Sequence, residues 1–294
     1  MLSKYQEAIR QYNTDYDYNQ ISERVASLLK HHKEENNTKA VKTFLLNSVE
    51  LTSLDVADNE DKILRMIERV NQFDSEYSEL GHIASVCVYP NFANLCHDSL
   101  ENEDINITCV CGSFPSSQTF LEIKVAETAM AIHDGATEVD TVMPVGMFLA
   151  GDYEGVADEI SELKQVCGDK PLKVILETGA LKTLSNIKKA AIICMYGGAD
   201  YIKTSTGKIA IGATPEAAYI MCEAIKEYYD KTGIQIGFKP AGGMKTVDDA
   251  LNYYTIVKEV LGDKWLNNKY FRIGTSSLAN LLLNEITGKE EKFF

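Results

Sequence analysis

Three charged side chains stand inside segments that otherwise read as buried β-strands. Lys203 lies in Tyr201-Ile202-Lys203-Thr204-Ser205-Thr206-Gly207-Lys208, Lys239 in Gly237-Phe238-Lys239-Pro240-Ala241-Gly242-Gly243, and Asp140 in Glu138-Val139-Asp140-Thr141-Val142. Strand alternation that turns Ile202 and Phe238 toward covering helices turns both lysines the other way, and Asp140 follows when Val139 and Thr141 face out. Two neighbouring ammonium groups disfavour each other's charged form, and desolvation adds to this. One of the two is therefore expected to fall from the ordinary ~10.4 toward neutrality. A neutral lysine amine adds to carbonyl carbons and forms Schiff bases. A carboxylate beside it neutralises the remaining ammonium and carries protons, directly or through a water. The competing reading is an ion pair that merely braces the fold. Three such groups on one inner wall weigh against it, because buried cations are costly when held for stability alone.

Such groups need a scaffold that brings separate strands to one rim. From residue 43 onward, short apolar runs take turns with longer segments of helical period. The runs cover residues 44–51, 83–89, 107–111, 138–143, 172–176, 201–205, 236–240 and 271–275. Between them, Thr214-Pro215-Glu216 supplies an N-cap, a first-turn proline and an early acid ahead of an apolar face of Ala217, Ile220, Met221, Ala224, Ile225 and Tyr228. Thr246-Val247-Asp248-Asp249 reads as a capping box with Asp in place of Glu. Leu121, Val125, Ala129 and Ile132 form a further helical stripe. Strands joined by crossover helices are parallel, and eight of them spread over about 250 residues predict an α/β fold, a (β/α)8 TIM barrel. Residues 1–40 are expected to form an N-terminal helical extension and residues 41–294 the barrel. In the extension, Ile21, Val25, Leu28 and Leu29 make one apolar stripe, followed by a charged loop at 31–39. It reads as a covering helix, with partner binding as the alternative.

In such barrels the chemistry sits at the carboxyl ends of the strands, and the loops after strands seven and eight commonly hold phosphate. Gly242-Gly243 and Gly274-Thr275-Ser276-Ser277-Leu278 supply amides and hydroxyls there, the second opening an apolar helix at 278–286 whose N-terminus favours an anion. Lys208 and Lys245 would add positive charge. No G-x-G-x-x-G follows any run. Gly207-Lys208 is followed by Ile209 and lacks the upstream glycine of a P-loop, so nucleotide-binding folds lose ground.

The whole chain sets the context. Its 294 residues are 45% apolar and 24% charged, which excludes disorder and fibrous repeats as overall classes. A net charge of −14 repels phosphate backbones and anionic lipid, so no nucleic acid and no membrane are expected as partners. The longest apolar run, 190–199, is far short of the ~20 residues that cross a bilayer, and the first residues lack a signal peptide's hydrophobic stretch. A cytoplasmic protein is expected. The seven cysteines form no C-x-x-C pair, and no H-E-x-x-H occurs among the five histidines, so neither a disulfide scaffold nor a structural metal is expected. Cys109 and Cys111 fall on one face of a strand and read as core. The N-x-T sequons at Asn36 and Asn106 read as chance matches.

The lysine segments, with Glu138-Val139-Asp140, Cys87-Val88-Tyr89-Pro90, 172–179 and 274–278, resemble the deoxyribose-phosphate aldolase family of class I aldolases over about residues 45–285. The resemblance implies a (β/α)8 barrel that reversibly cleaves 2-deoxy-D-ribose 5-phosphate to acetaldehyde and D-glyceraldehyde 3-phosphate, without metal or other cofactor. It makes Lys203 the Schiff-base lysine, Lys239 the cation that perturbs it and Asp140 the proton-transfer carboxylate. Gly207, Lys208, Gly242, Gly243, Ser276 and Ser277 match phosphate-binding positions. Thr206, and Thr52 and Cys87 near the ends of the first two strands, join the substrate-binding set, although Cys87 also reads as packing. The chain departs from the family in its N-terminal extension, in Glu50 where some members carry Asp, and in ending Phe293-Phe294 where some end in a proton-donating tyrosine. The expected partner is a small phosphosugar, and exposed apolar helix faces leave room for a homodimer. The alternatives are a Schiff-base aldolase or transaldolase for another phosphosugar, and a non-catalytic barrel serving as a binding scaffold.

Overall fold

Strands buried on both faces read as near-continuous apolar runs, and the eight runs form eight parallel strands in the computed structural model, which describes residues 4–290 and 292–294. They are β1 (Val49–Thr52), β2 (Ser85–Val88), β3 (Asn106–Cys111), β4 (Glu138–Val142), β5 (Leu172–Ile175), β6 (Tyr201–Lys203), β7 (Gly237–Lys239) and β8 (Ile273–Thr275). Each pairs with its sequence neighbour, and β1 also pairs with β8. Bridges between Phe238 and Phe271 and between Ala241 and Gly274 bring β7 against β8 and close the sheet. The fold is a (β/α)8 barrel.

Helices α1 (Lys4–Ile9), α2 (Tyr18–His32) and α3 (Lys39–Asn47) precede β1. The crossovers run through α4 (Glu60–Glu76), α5 (Ala93–Ser99), α6 (Leu121–His133), α7 (Val145–Leu149) with α8 (Tyr153–Cys167), α9 (Thr178–Leu181) with α10 (Leu184–Tyr196), α11 (Pro215–Thr232) and α12 (Val247–Leu261), and α13 (Leu278–Thr287) follows β8. The start signals act as read. Thr214 Oγ1 accepts from Ala217 N at 3.2 Å, and Thr246 and Asp249 cap each other's backbone amides. The side chains of Val139, Val174, Ile202, Phe238 and Ile273 join the apolar layer shared with the helices. All seven cysteines are free thiols and buried, Cys109 and Cys111 within that layer.

Three expectations are corrected. The first half of the 44–51 run is helix: Thr38 caps α3, which buries Leu45 and Leu46, and only Val49–Thr52 is strand. The expected loop at 31–39 is mostly helical turns, and α3 crosses the division expected at residue 40. On α6 the buried face is Lys124, Thr128 and Ala131 rather than the apolar stripe. Lys124 is accommodated by Glu159 at 2.6 Å and Ser117 at 2.8 Å, while Phe120, Ile123 and Met130 are exposed. The N-terminal segment lies against α12 and α11, pinned by Asn36. Its amide donates to His32 O and Thr255 Oγ1 and accepts from Lys258 Nζ at 2.8 Å.

Candidate active site

Register sets the two predicted lysines side by side and gives Asp140 a third lysine as its neighbour. Lys203 is the direct neighbour of Lys239, and Asp140 of Lys173. Inward from these positions the lumen is charged, not apolar. Lys203 Nζ and Lys239 Nζ each donate to the same oxygen, Asp140 Oδ2, at 2.7 Å. Lys239 also donates to Glu50 Oε2. Lys173 Nζ meets Glu138 at 2.6 Å, Asp140 Oδ1 at 3.2 Å and Glu50 at 3.4 Å, and donates to Thr108 Oγ1 at 3.1 Å. Arg272 straddles Glu138 at 3.0 and 3.3 Å and reaches Glu50 at 3.4 Å. All seven charged groups are buried.

Two lysines crowding each other is therefore only part of the electrostatics. Burial alone would lower Lys239, but the Asp140 and Glu50 carboxylates raise it above the ordinary lysine value. Burial likewise opposes ionisation of Asp140, yet Lys203, Lys239 and Lys173 together hold its carboxyl well below the usual range. The sequence reading missed Lys173, Glu138 and Arg272 as members of the site and saw Glu50 only as a departure. The usable signal was the spacing of Glu138 and Asp140, two apart and so on one strand face, together with a lysine within Leu172-Lys173-Val174-Ile175. Gly237 makes room for this lumen. A Cβ there would lie 2.3 Å from the Tyr201 ring, which fills the space beside it.

Above Lys203 opens a cavity of about 590 Å³, within the range of small-molecule sites. Thr52, Thr206, Gly207, Lys208, Gly242, Gly243, Ser276 and Ser277 line it with Lys203. Asp140 and Lys239 sit beneath its floor and do not line it. Cys87 does not line it either: it packs with Leu54 and Val110, and burial pushes its thiol up. Lys245 also lies off the cavity wall. Gly242 adopts φ +78°, a left-handed conformation that glycine takes without strain, and this lets the β7 loop pass close to Ser205 and Gly207. Glu177, at φ 56°, accepts from the Thr206 amide and hydroxyl and so ties the β6 loop to the end of β5. Phe294 lines the mouth, its backbone held by Asn280 and its ring against Phe73. Glu50, Cys87 and Asp140 converge closely enough to suggest a metal set, but the Lys239 ammonium already bonds both carboxylates and takes the cation's place.

A lysine–carboxylate cluster opening at the carboxyl rim of a (β/α)8 barrel is the arrangement of a lysine-dependent aldolase. The comparisons agree: the DeoC/LacD family aldolase model matches residues 48–281, and the chain belongs to that family. It is 42% identical over 274 residues, 92% of this chain and 89% of the relative, to a Caenorhabditis elegans protein provisionally named deoxyribose-phosphate aldolase. It is 44% identical to the Homo sapiens deoxyribose-phosphate aldolase over 69% of this chain and 64% of that one. Among solved structures, the deoxyribose phosphate aldolase of Aeropyrum pernix, described as tetrameric, shares the fold with a TM-score of 0.66 at 21% identity, covering 93% of this chain and 100% of that one.

Proposed function

We propose that this aldolase cleaves 2-deoxy-D-ribose 5-phosphate to acetaldehyde and D-glyceraldehyde 3-phosphate, and runs the reverse condensation, through a Schiff base on Lys203. The observation that carries the reading is that Lys203 alone among the lumen lysines borders the cavity, with the Asp140 carboxylate 2.7 Å from its nitrogen. The free amine adds to C1 of the open-chain aldehyde, and the carbinolamine loses water to give an iminium. The C3 hydroxyl gives its proton toward Asp140, directly or through one water. The C2–C3 bond breaks, its electron pair flows into the iminium to form an enamine, and D-glyceraldehyde 3-phosphate leaves. Protonation at C2 and hydrolysis then release acetaldehyde and restore the lysine. Each assisted proton transfer is worth ~10²–10⁴ in rate. The substrate phosphate is held between the Gly242-Gly243 turn and Ser276-Ser277 at the N-terminus of α13, where backbone dipoles favour an anion, with Lys208 adding charge. Exposed Phe120, just before α6, and Ile123 and Met130 on it are the side chains that a homodimer would cover.

Borohydride reduction with deoxyribose 5-phosphate present, followed by peptide mapping, tests this directly. A reduced adduct is expected on the peptide carrying Lys203 and is expected to vanish in Lys203→Ala. An adduct elsewhere, or none, overturns the reading.

A further inference from the structure

Glu177 is a buried acid that the aldol steps above do not use. It follows β5, where Leu176 packs into the outer apolar layer, and its backbone is left-handed, φ 56° and ψ 60°. That conformation is strained for a residue with a side chain and persists only where the surroundings hold it. Bonds on both sides do so: Leu176 N donates to Lys203 O and Thr178 N to Thr204 O, each at 2.9 Å. An acid at the N-cap of a helix ordinarily accepts from that helix's first amides, but the Glu177 side chain makes no such bond to α9. Both of its oxygens turn instead to one residue of the β6 loop. Oε1 accepts from Thr206 N at 3.3 Å and Oε2 from Thr206 Oγ1 at 2.5 Å. Burial raises the carboxyl, while the Thr206 bonds and the charge of Lys203 oppose the rise.

Thr206 passes this hold on. A hydroxyl has one proton, and here it goes to Glu177 while the oxygen accepts from Lys208 N at 3.0 Å. Thr206 therefore lines the cavity with no hydroxyl proton left to offer it, and its contribution is the shape of the turn through Gly207. From that turn the Lys208 ammonium reaches Leu54 O, just beyond β1. β7 and β8 separate β6 from β1 around the barrel, so the Lys208 arm spans the mouth. We propose that Glu177 is a positioning residue for substrate preference: through Thr206 it fixes the base of the Lys208 arm and so governs how tightly a phosphorylated sugar is held, without touching the reacting carbons. The inference rests on the reading of Lys203 as the Schiff-base lysine and of this rim as the phosphate site, and deepens it by naming the group that sets the arm. A carboxylate suits the task because it accepts twice. Glutamine keeps one acceptor oxygen and turns an amide donor toward the second Thr206 donor.

Steady-state cleavage of 2-deoxy-D-ribose 5-phosphate and of unphosphorylated 2-deoxy-D-ribose, beside borohydride trapping with each, tests this. In Glu177→Ala the preference for the phosphorylated sugar, the ratio of the two kcat/KM values, is expected to fall on the order of tenfold through a rise in KM, about the effect of losing one hydrogen bond to a charged group. Glu177→Gln is expected to lie between wild type and alanine. Lys208→Met is expected to raise the same KM, and adding Glu177→Ala to it to raise KM less than about twofold further, since both act through one arm. Glu177→Gly, which takes a left-handed turn without strain, replaces the alanine variant where circular dichroism shows that one unfolded. An unchanged preference, a fall carried by kcat, or two single effects that multiply in full in the double variant overturns the assignment. Trapping at Lys203 in the wild type tells this failure from that of the underlying reading: with it, those outcomes remove the role of Glu177 alone, and without it both fall.

Discussion

At the scale of single residues, the site is a set of charges that water would ordinarily hold, kept in a buried lumen by one another. Lys239 illustrates the consequence. With Asp140 and Glu50 both raising it, it stays a cation across the working range. Lys239→Leu removes one of the two lysines that Asp140 and Glu50 share, and is expected to destabilise the fold by about 3–5 kcal/mol. In the fraction that folds, covalent trapping on Lys203 is expected to require higher pH. Calorimetry and the trapping profile check the two effects separately. Glu138 makes a second prediction. Burial opposes its ionisation, but Lys173 and Arg272 overcome this and hold its carboxyl at about 2, against an ordinary 4.5. A carboxyl lowered in the folded state adds stability that is complete above the unfolded value and is lost as pH falls toward the folded one. The melting temperature is therefore expected to drop between about pH 4.5 and pH 2, less steeply in Glu138→Gln than in wild type. Scanning fluorimetry across that range decides it.

At the scale of elements, short strands and well-capped helices fix where these charges point. β6 and β7 are three residues each, so one misplaced side chain disturbs the whole register. A Cβ at Gly237 would collide with the Tyr201 ring at 2.3 Å. Gly237→Ala is expected to cost about 1–3 kcal/mol by overpacking and to lower kcat more than KM, since the ring lies under Lys173 and not at the substrate. At the start of α12, Thr246→Ala removes one half of the capping box and is expected to lower stability by about 1 kcal/mol, with trapping at Lys203 unchanged. Denaturant unfolding and a trapping assay test each variant. The helix starts at Thr214 and Thr246 were legible because capping is local chemistry. The start of β1 was not: an apolar run such as 44–51 suits a buried helix end and a buried strand equally, and only Thr38 and the packing of Leu45 and Leu46 decide between them.

At the scale of the molecule, the N-terminal segment wraps the side of the barrel formed by α11 and α12, far in sequence from what it covers. Val25 is nearly fully buried in that contact. Val25→Asp is expected to lower the melting temperature while leaving kcat/KM for the aldol cleavage within about twofold, because no residue of α2 borders the cavity. Steady-state kinetics beside a thermal melt separate the outcomes. No described helix is long and apolar enough to cross a membrane. With a net charge of −14 the long-range field opposes an anion, so the phosphate recognition proposed above would fall to local amides and hydroxyls at the rim.

The order of strands and helices, the barrel, and the inward lysines at 203 and 239 with Asp140 were determined by the sequence alone, because hydrophobic period and strand alternation act over a few residues. Which charges share the lumen was decided only in three dimensions. Glu50, Glu138, Lys173 and Arg272 come from four different strands or strand approaches, and each reads locally as one polar residue in a buried run. Only closure of the sheet places them in contact, and only that contact shows Asp140 holding two lysines on a single oxygen.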